Sequence, residues 1–385
     1  MYALVIGRAL PDEKTGMMGI FEFEQAAALN KYNFKSVYAF CDTRSVKSLR
    51  IFNYVNLHSS KPSVYGYHLP IGGIPKQLFD HLKTKHFQKL LNNILEKEGK
   101  PAVIHVHFPL LNLNEQIWNL LKNLQIPIVV TEHWSKVQLK KLEPHSVSLL
   151  KKIEKESDSF NCVGEKLKQS VVELTGTNKN IEVIPNMVKP IFKYSERKIR
   201  KKKYDFVTVG RLVESKRFGL LINAFSKAFA ENTDVHLNII GNGPVFSNLK
   251  KQIHSQGMGD KITLHGFLPR EKTADMLKKS DAFVSASVLE TFGVPFIEAM
   301  ACGRPVIGVK GGPIDIYIDE LTGVLFEADN VEELAKVLIN MYEKGKNYNE
   351  KQIAKRAEEL FSEKAVSERL IDIFNKLINE RNKLK

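Results

Sequence analysis

Two glutamates, Glu290 and Glu298, have seven residues between them and enclose the run Thr291-Phe-Gly-Val-Pro295. The preceding stretch, Asp281-Ala-Phe-Val-Ser285, is short, apolar and bounded, which predicts a buried strand. Pro295 stands where a helix would begin and Gly303 where it would end. The pattern is therefore strand, loop, helix, with Glu290 in the loop and Glu298 in the first turn. A helix start has free N–H groups and the positive end of the helix dipole, and so makes an anion site. A carboxylate on each side of such a site suits a ligand with phosphate in its middle and hydroxyls at both ends.

Further residues extend this chemistry. In Phe206-Val-Thr-Val-Gly-Arg-Leu-Val-Glu-Ser-Lys216 an apolar strand ends at Gly210, and Arg211 and Lys216 follow in the loop. Two cations between a strand end and a helix start suit a diphosphate. Ile240-Gly-Asn-Gly-Pro244 places Gly241 and Gly243 at the next strand end, where glycine permits close approach or positive φ, and a tight turn reads the same way. The first half offers the loop Gly7–Gly19, which contains Gly16 and Gly19 and lacks the P-loop spacing. It also offers His133, just after the apolar run Val129–Thr131. That histidine reads as a ligand contact, with a structural group or a stacking partner of Trp134 as the alternatives. His105 and His107 fall on one face of a strand, but no third zinc ligand lies near them in sequence.

The Glu-x(7)-Glu pair with its inner Thr-Phe-Gly-x-Pro resembles the signature of family 4 of the glycosyltransferases. The resemblance covers nearly the whole chain and is strongest over residues 205–330. It implies an α/β fold of the GT-B type, two Rossmann-like doubly wound domains facing a central cleft, and retaining sugar transfer. It implies that Arg211 and Lys216 hold the donor diphosphate, Glu290 the sugar hydroxyls and Glu298 the ribose. Gly210, Gly241 and Gly243 would lie beside the nucleotide, and Phe267 and Leu268 of His265-Gly-Phe-Leu-Pro269 would flank the base. The backbone of Thr291, Phe292, Gly293 and Val294 would close around sugar and phosphate. Gly16 and Gly19 match the family loop that closes on the diphosphate, although Met17-Met18 replaces the commoner paired-glycine form. His133 would contact the donor sugar. The expected catalytic set is His133, Arg211, Lys216 and Glu290. No Asp-x-Asp occurs in the chain, so metal-independent charge stabilisation by side chains is expected, with no cofactor.

These residues need strands and helices to place them. Expected strands in the first half are Tyr2–Ile6, Ser36–Phe40, Ala102–Val106, Pro127–Thr131, Ser159–Val163 and Glu182–Ile184, with amphipathic stretches between. The second half repeats the alternation, with strands at Phe206–Val209, His236–Ile240, Lys261–Leu264, Ala282–Ser285 and Pro305–Val309. The basic segment Lys189–Lys203 between them reads as an exposed linker. From Val331 on the pattern is mostly helical. The expected division is an acceptor-binding domain at 1–195, a donor-binding domain at 196–362 and a closing helix at 363–385. On the resemblance, that helix crosses back to the first domain.

The 385 residues suit two domains, and 43% hydrophobic with 26% charged residues is ordinary for a globular chain. No run is apolar enough to span a bilayer, and no signal peptide is expected. Cys41, Cys162 and Cys302 are odd in number and far apart, which points to a reducing cytoplasm. The net charge of +14 points to an anionic partner. With no nucleic-acid-binding module in the sequence, an anionic membrane surface is the preferred partner. The helical pattern over Lys76–Leu95, with Lys83, Lys85 and Lys89 beside its apolar stripe, is the expected docking element.

Together these readings give a cytoplasmic or inner-face peripheral hexosyltransferase of cell-surface polysaccharide synthesis. The donor would be a nucleotide sugar, UDP-linked or GDP-linked, and the acceptor a glycan or lipid-linked glycan. The alternatives are another GT-B enzyme, such as a nucleotide-sugar epimerase or glucan synthase, and a non-catalytic partner subunit.

Overall fold

The structure is a computed structural model and describes residues 1–12, 17–45, 51–196, 203–312 and 314–383. Gly16 and the basic residues 197–202 lie outside the described residues. The chain forms two compact units, Met1–Met187 with Glu363–Lys385, and Val188–Ser362.

The first unit is built on eight strands: β1 (Ala3–Gly7), β2 (Ser36–Asp42), β3 (Asn53–Leu57), β4 (Ser63–His68), β5 (Val103–His107), β6 (Ile128–Glu132), β7 (Ser159–Cys162) and β8 (Glu182–Val183). Their order is β3-β4-β2-β1-β5-β6-β7-β8, parallel throughout except where β3 runs against β4. β1, β2, β5 and β6 are buried along their whole length. A parallel sheet is covered on both faces, so such strands read as continuous apolar runs, and the sequence shows them as such. The β3–β4 pair was not foreseen. β3 is a partly exposed edge strand with no apolar alternation, and Gly66 interrupts β4.

The second unit holds β9 (Tyr204–Val209), β10 (Val235–Ile240), β11 (Ile262–Gly266), β12 (Ala282–Val284), β13 (Val306–Val309) and β14 (Gly323–Phe326). The order is β11-β10-β9-β12-β13-β14, and all pairs are parallel. β14 lies just before the stretch expected to be helical. Phe206, Phe225 and Phe229 pack ring on ring at the centre of this unit.

The division falls at Met187/Val188, eight residues before the expected boundary, for a local reason. Val188 bridges Ser362 in parallel register, and buried Phe192 takes the Arg270 guanidinium 5.5 Å from its ring centroid. The start of the expected linker is thus part of the second unit. The helix Glu363–Lys383 groups with the first unit. It buries Val366, Leu370 and Phe374, the last 5.5 Å from the rings of both Phe34 and His105.

The helix Lys76–Glu98 forms where the sequence placed one, but it does not present the expected lipid face. Leu90, Leu91 and Ile94 are buried in the first unit. Lys83 is buried too, and donates from Nζ to the carbonyl of Leu111 at 2.7 Å. Desolvation lowers its pKa to about 8. The stripe faces inward because a helix flanking a sheet must bury its apolar side.

Candidate functional site

Ligands of doubly wound sheets bind beyond the carboxyl ends of the strands. In the second unit those ends gather most of the expected residues. β9 ends at Val209, and the chain passes through Gly210 and exposed Arg211 into one 3₁₀ turn, Glu214–Lys216. There Lys216 Nζ forms an ion pair with the Glu290 carboxylate, which arrives on the loop after β12. Both side chains are mostly shielded from water.

The loops after β9 and β10 are laced together. Gly210 N–H donates to Ile240 O and Leu212 N–H to Asn242 O, each at 3.0 Å. Gly241 sits at φ 144°, and a Cβ there would strike Gly210 O, as one on Gly243 would strike Leu212 O. These two glycines therefore serve backbone approach between loops, the tight-turn role, whatever ligand lies beyond them.

The helix Val294–Ala301 starts after Gly293, which takes φ 93°, and no side chain caps it. Pro295 has no N–H and Phe296 N–H donates to Gly293 O at 3.0 Å, so the start offers an anion the N–H of Val294 and the positive end of the helix dipole. Phe292 contributes backbone alone, because its side chain is buried 6.3 Å from the ring of Tyr317 and 5.8 Å from that of Phe361. Glu298 is the fifth residue of this helix, just past the first turn where it was expected, and is nearly buried. Its Oε1 accepts from Arg270 Nη2 at 3.0 Å. Phe267 is 71% exposed, a free aromatic face one residue beyond β11, and Leu268 beside it is half-buried.

Arg270 was missed by the sequence reading. Its signal was its place, first in the helix after Leu268-Pro269, with Glu298 as the nearest chemistry in need of a partner.

In the first unit, Gly19 precedes the helix Ile20–Lys31 at φ 87°, and a Cβ there would strike Ala9 O. His133 follows β6 and is buried. Its Nε2 lies 2.9 Å from His107 Nδ1, and its ring stacks on Phe108 at 4.5 Å. The Glu132 carboxylate accepts from the backbone N–H of His133 and of Trp134, each at 2.8 Å. Burial raises the Glu132 pKa to about 7 against the opposing pull of those N–H groups and of Arg8. Burial also holds His105, His107 and His133 well below the usual histidine range, and nearby positive or imidazole groups add to it. The three rings are therefore neutral at pH 7. Among the described residues no three His, Cys, Asp or Glu side chains are placed to hold a metal ion, and no helix is long and apolar enough to cross a membrane. Arg8, Glu22, His107 and Glu132 join this cluster without having been singled out for it. Arg8, directly after β1, was the legible one.

The family model for glycosyl transferases group 1 matches residues 192–366, and that for Glycosyltransferase Family 4 matches residues 49–191. The phosphatidylinositol N-acetylglucosaminyltransferase GPI3 subunit of Saccharomyces cerevisiae is 30% identical over 188 residues, 46% of this chain. The match spans 41% of that relative's own length. The N-acetyl-alpha-D-glucosaminyl L-malate synthase of Bacillus anthracis is 27% identical over 271 residues, 67% of this chain and 70% of that one. Among solved structures, a sucrose-phosphate synthase from Thermosynechococcus elongatus superposes with a TM-score of 0.77 at 17% identity, over 99% of this chain and 100% of that one. Anabaena HepE in complex with UDP gives a TM-score of 0.73 at 15% identity, over 98% and 100%. These likenesses show the GT-B fold. With the group 1 and family 4 domains side by side along its length, the chain belongs to the family 4 glycosyltransferases.

Proposed function

We propose that the protein is a retaining glycosyltransferase that moves a sugar from a UDP-linked donor to a hydroxyl of a glycan or lipid-linked glycan. One observation carries this reading. The uncapped start of the helix Val294–Ala301 is flanked in sequence by Glu290, paired with Lys216, and by Glu298, paired with Arg270. An anion site between two oriented carboxylates fits phosphate between two polyols. Glu298 takes the ribose hydroxyls, the helix start and the two cations Arg211 and Lys216 take the diphosphate, and Glu290 takes the sugar. Phe267 offers a face to the base. UDP is favoured because HepE, of the same fold, is recorded with UDP and with UDP-glucose.

In the reaction the bond between the anomeric carbon and the diphosphate oxygen breaks, and charge grows on that oxygen. Fixed cations and backbone N–H groups stabilise growing charge without reorganising. Arg211 and Lys216 do this, with no metal ion required. The departing diphosphate takes the proton of the acceptor hydroxyl as the new bond forms on the same face of the sugar. His133 contacts a hydroxyl of that sugar. The acceptor is lipid-linked and the protein is peripheral on an anionic membrane. The support is the net charge of +14 and the exposed apolar residues Ile51, Phe52 and Leu57 of the first unit.

The test is incubation with a panel of nucleotide sugars. Release of nucleoside diphosphate from one of them, with the α-anomer retained in the NMR spectrum of the product, supports the reading. Release from none overturns it in favour of a non-catalytic partner subunit, and an inverted product overturns the stereochemistry.

A further inference from the structure

His133 is held from two directions by groups that do not themselves form the donor site, and one of these is backed by Arg8. His107 approaches its edge, with Nδ1 2.9 Å from Nε2. Phe108 lies against its face, planes 15° from parallel. The Arg8 guanidinium lies 3.5 Å from the Phe108 ring centroid, itself fixed by Glu22 through bonds of 2.6 and 3.3 Å. All of these belong to the first unit. The remaining nitrogens, His107 Nε2 and His133 Nδ1, are buried and have no hydrogen-bond partner.

Two neutral imidazoles that share one hydrogen bond have two proton arrangements. In the first, His107 donates from Nδ1 and His133 carries its own proton on Nδ1. In the second, His133 donates from Nε2 and its Nδ1 is a bare lone pair. The proton between the rings thus decides whether the open nitrogen of His133 is a donor or an acceptor. An unsatisfied buried nitrogen is costly, so it marks a place where a ligand group completes the bond.

We infer that His107 is a positioning residue for His133: with Phe108 it fixes the ring's orientation, it ties the ring's tautomer to its own, and it leaves Nδ1 to hydrogen-bond a sugar hydroxyl. This rests on the reading of His133 as a sugar contact given above. A sugar hydroxyl can give or take one hydrogen bond, and the tautomer selects which. The ionisable groups packed around the pair are Arg8 after β1, Glu22 on the first helix, His105 on β5 and Glu132 at the end of β6. The burial of both rings, and after it the positive charge of Arg8, oppose protonation, so the pair stays neutral at pH 7.

The tautomer can be read directly by two-bond ¹⁵N–¹H correlation on full-length protein labelled at histidine. At pH 7 the wild type should show His133 with one protonated and one bare nitrogen. His107→Phe should give averaged shifts, and His107→Asn, whose amide can stand in for Nδ1, should restore a single tautomer. An unchanged single tautomer in His107→Phe, or a charged His133 in the wild type, would overturn the inference. With the responsive nucleotide sugar, kcat/KM should fall ~10-fold or more in His107→Phe and recover in His107→Asn, while affinity for UDP alone stays level. Absence of UDP binding would sink the donor reading alone, since the His133 tautomer would still decide the positioning role.

Discussion

Lys216 and Glu290, 74 residues apart in sequence, meet as an ion pair at the carboxyl end of the second sheet. The pair holds the cation in place before any ligand arrives and keeps the Glu290 carboxylate oriented. Preorganised charge acts on the transition state without a cost of reorganisation.

Lys216→Ala should therefore lower kcat more than it weakens donor binding. By the measure of a single oxyanion-type donor, the loss is about 3 kcal/mol, or ~100-fold in rate. Steady-state kinetics on the responsive donor checks this. A rise in KM with kcat intact would mean the pair serves uniform binding.

Activity should survive dialysis against excess EDTA, because in the proposed reaction Arg211 and Lys216 supply the charge that a cation would otherwise supply. Loss of turnover on EDTA treatment, restored by Mg²⁺ or Mn²⁺, would contradict this assignment.

The buried histidines set a pH dependence of stability. His105, His107 and His133 have folded pKa values depressed below the unfolded value of about 6.5. Their contribution is present above that pH and is lost as pH falls, since the unfolded chain then binds three protons that the folded chain does not. Glu132 acts in the opposite sense. Its raised pKa favours the folded state at low pH, and that contribution fades as pH rises through about 7. Three groups outweigh one, so stability should fall from pH 6.5 to pH 5, by about 1.4 kcal/mol per pH unit for each net proton. Urea midpoints at pH 7, 6 and 5 measure it, and a flat series would refute the burial argument.

How much of this was legible follows from where burial and chemistry coincide. The parallel strands were readable because burial on both faces writes apolar runs such as Ala3–Gly7 and the Ile128–Val130 part of β6. The edge strand Asn53–Leu57 was not, since a half-exposed strand carries no such run. Glu290, Glu298, Arg211 and Lys216 stood out because their spacing comes with the Thr-Phe-Gly-x-Pro insert and a strand-end Gly-Arg, which together resemble a family signature. Arg270 did not, and His107 stood out only as a metal candidate, because their significance lies in partners at Glu298 and His133 that only the fold brings near. The lysine stripe of Lys76–Glu98 misled for a related reason. Helical spacing gives a face, but not which way it turns, and Lys83 turned inward to Leu111.

Arg304 is 0% exposed, with both terminal nitrogens on the Glu350 carboxylate at 3.0 and 2.6 Å and further bonds to the carbonyls of Cys302 and Ser280. It pins the end of the helix Val294–Ala301 to the helix Glu350–Phe361. Breaking a buried pair by removing one partner leaves an uncompensated group and costs about 3–5 kcal/mol. Arg304→Ala should lose roughly that much in chemical denaturation, whereas Lys310→Ala, at an exposed pair, should leave the midpoint nearly unchanged. Equal losses would mean that Arg304 is not a keystone.

In the proposed function, Glu298 and the Lys216–Glu290 pair hold a uridine diphosphate in the second unit. Calorimetric titration of UDP into the wild type and into Glu298→Gln tests it most directly. A lost charge-assisted hydrogen bond is worth about 1.5–3 kcal/mol, so the wild type should bind and the variant should bind ~10- to 100-fold more weakly. A wild type that binds neither UDP nor GDP, or a variant that binds as tightly as the wild type, would contradict the account.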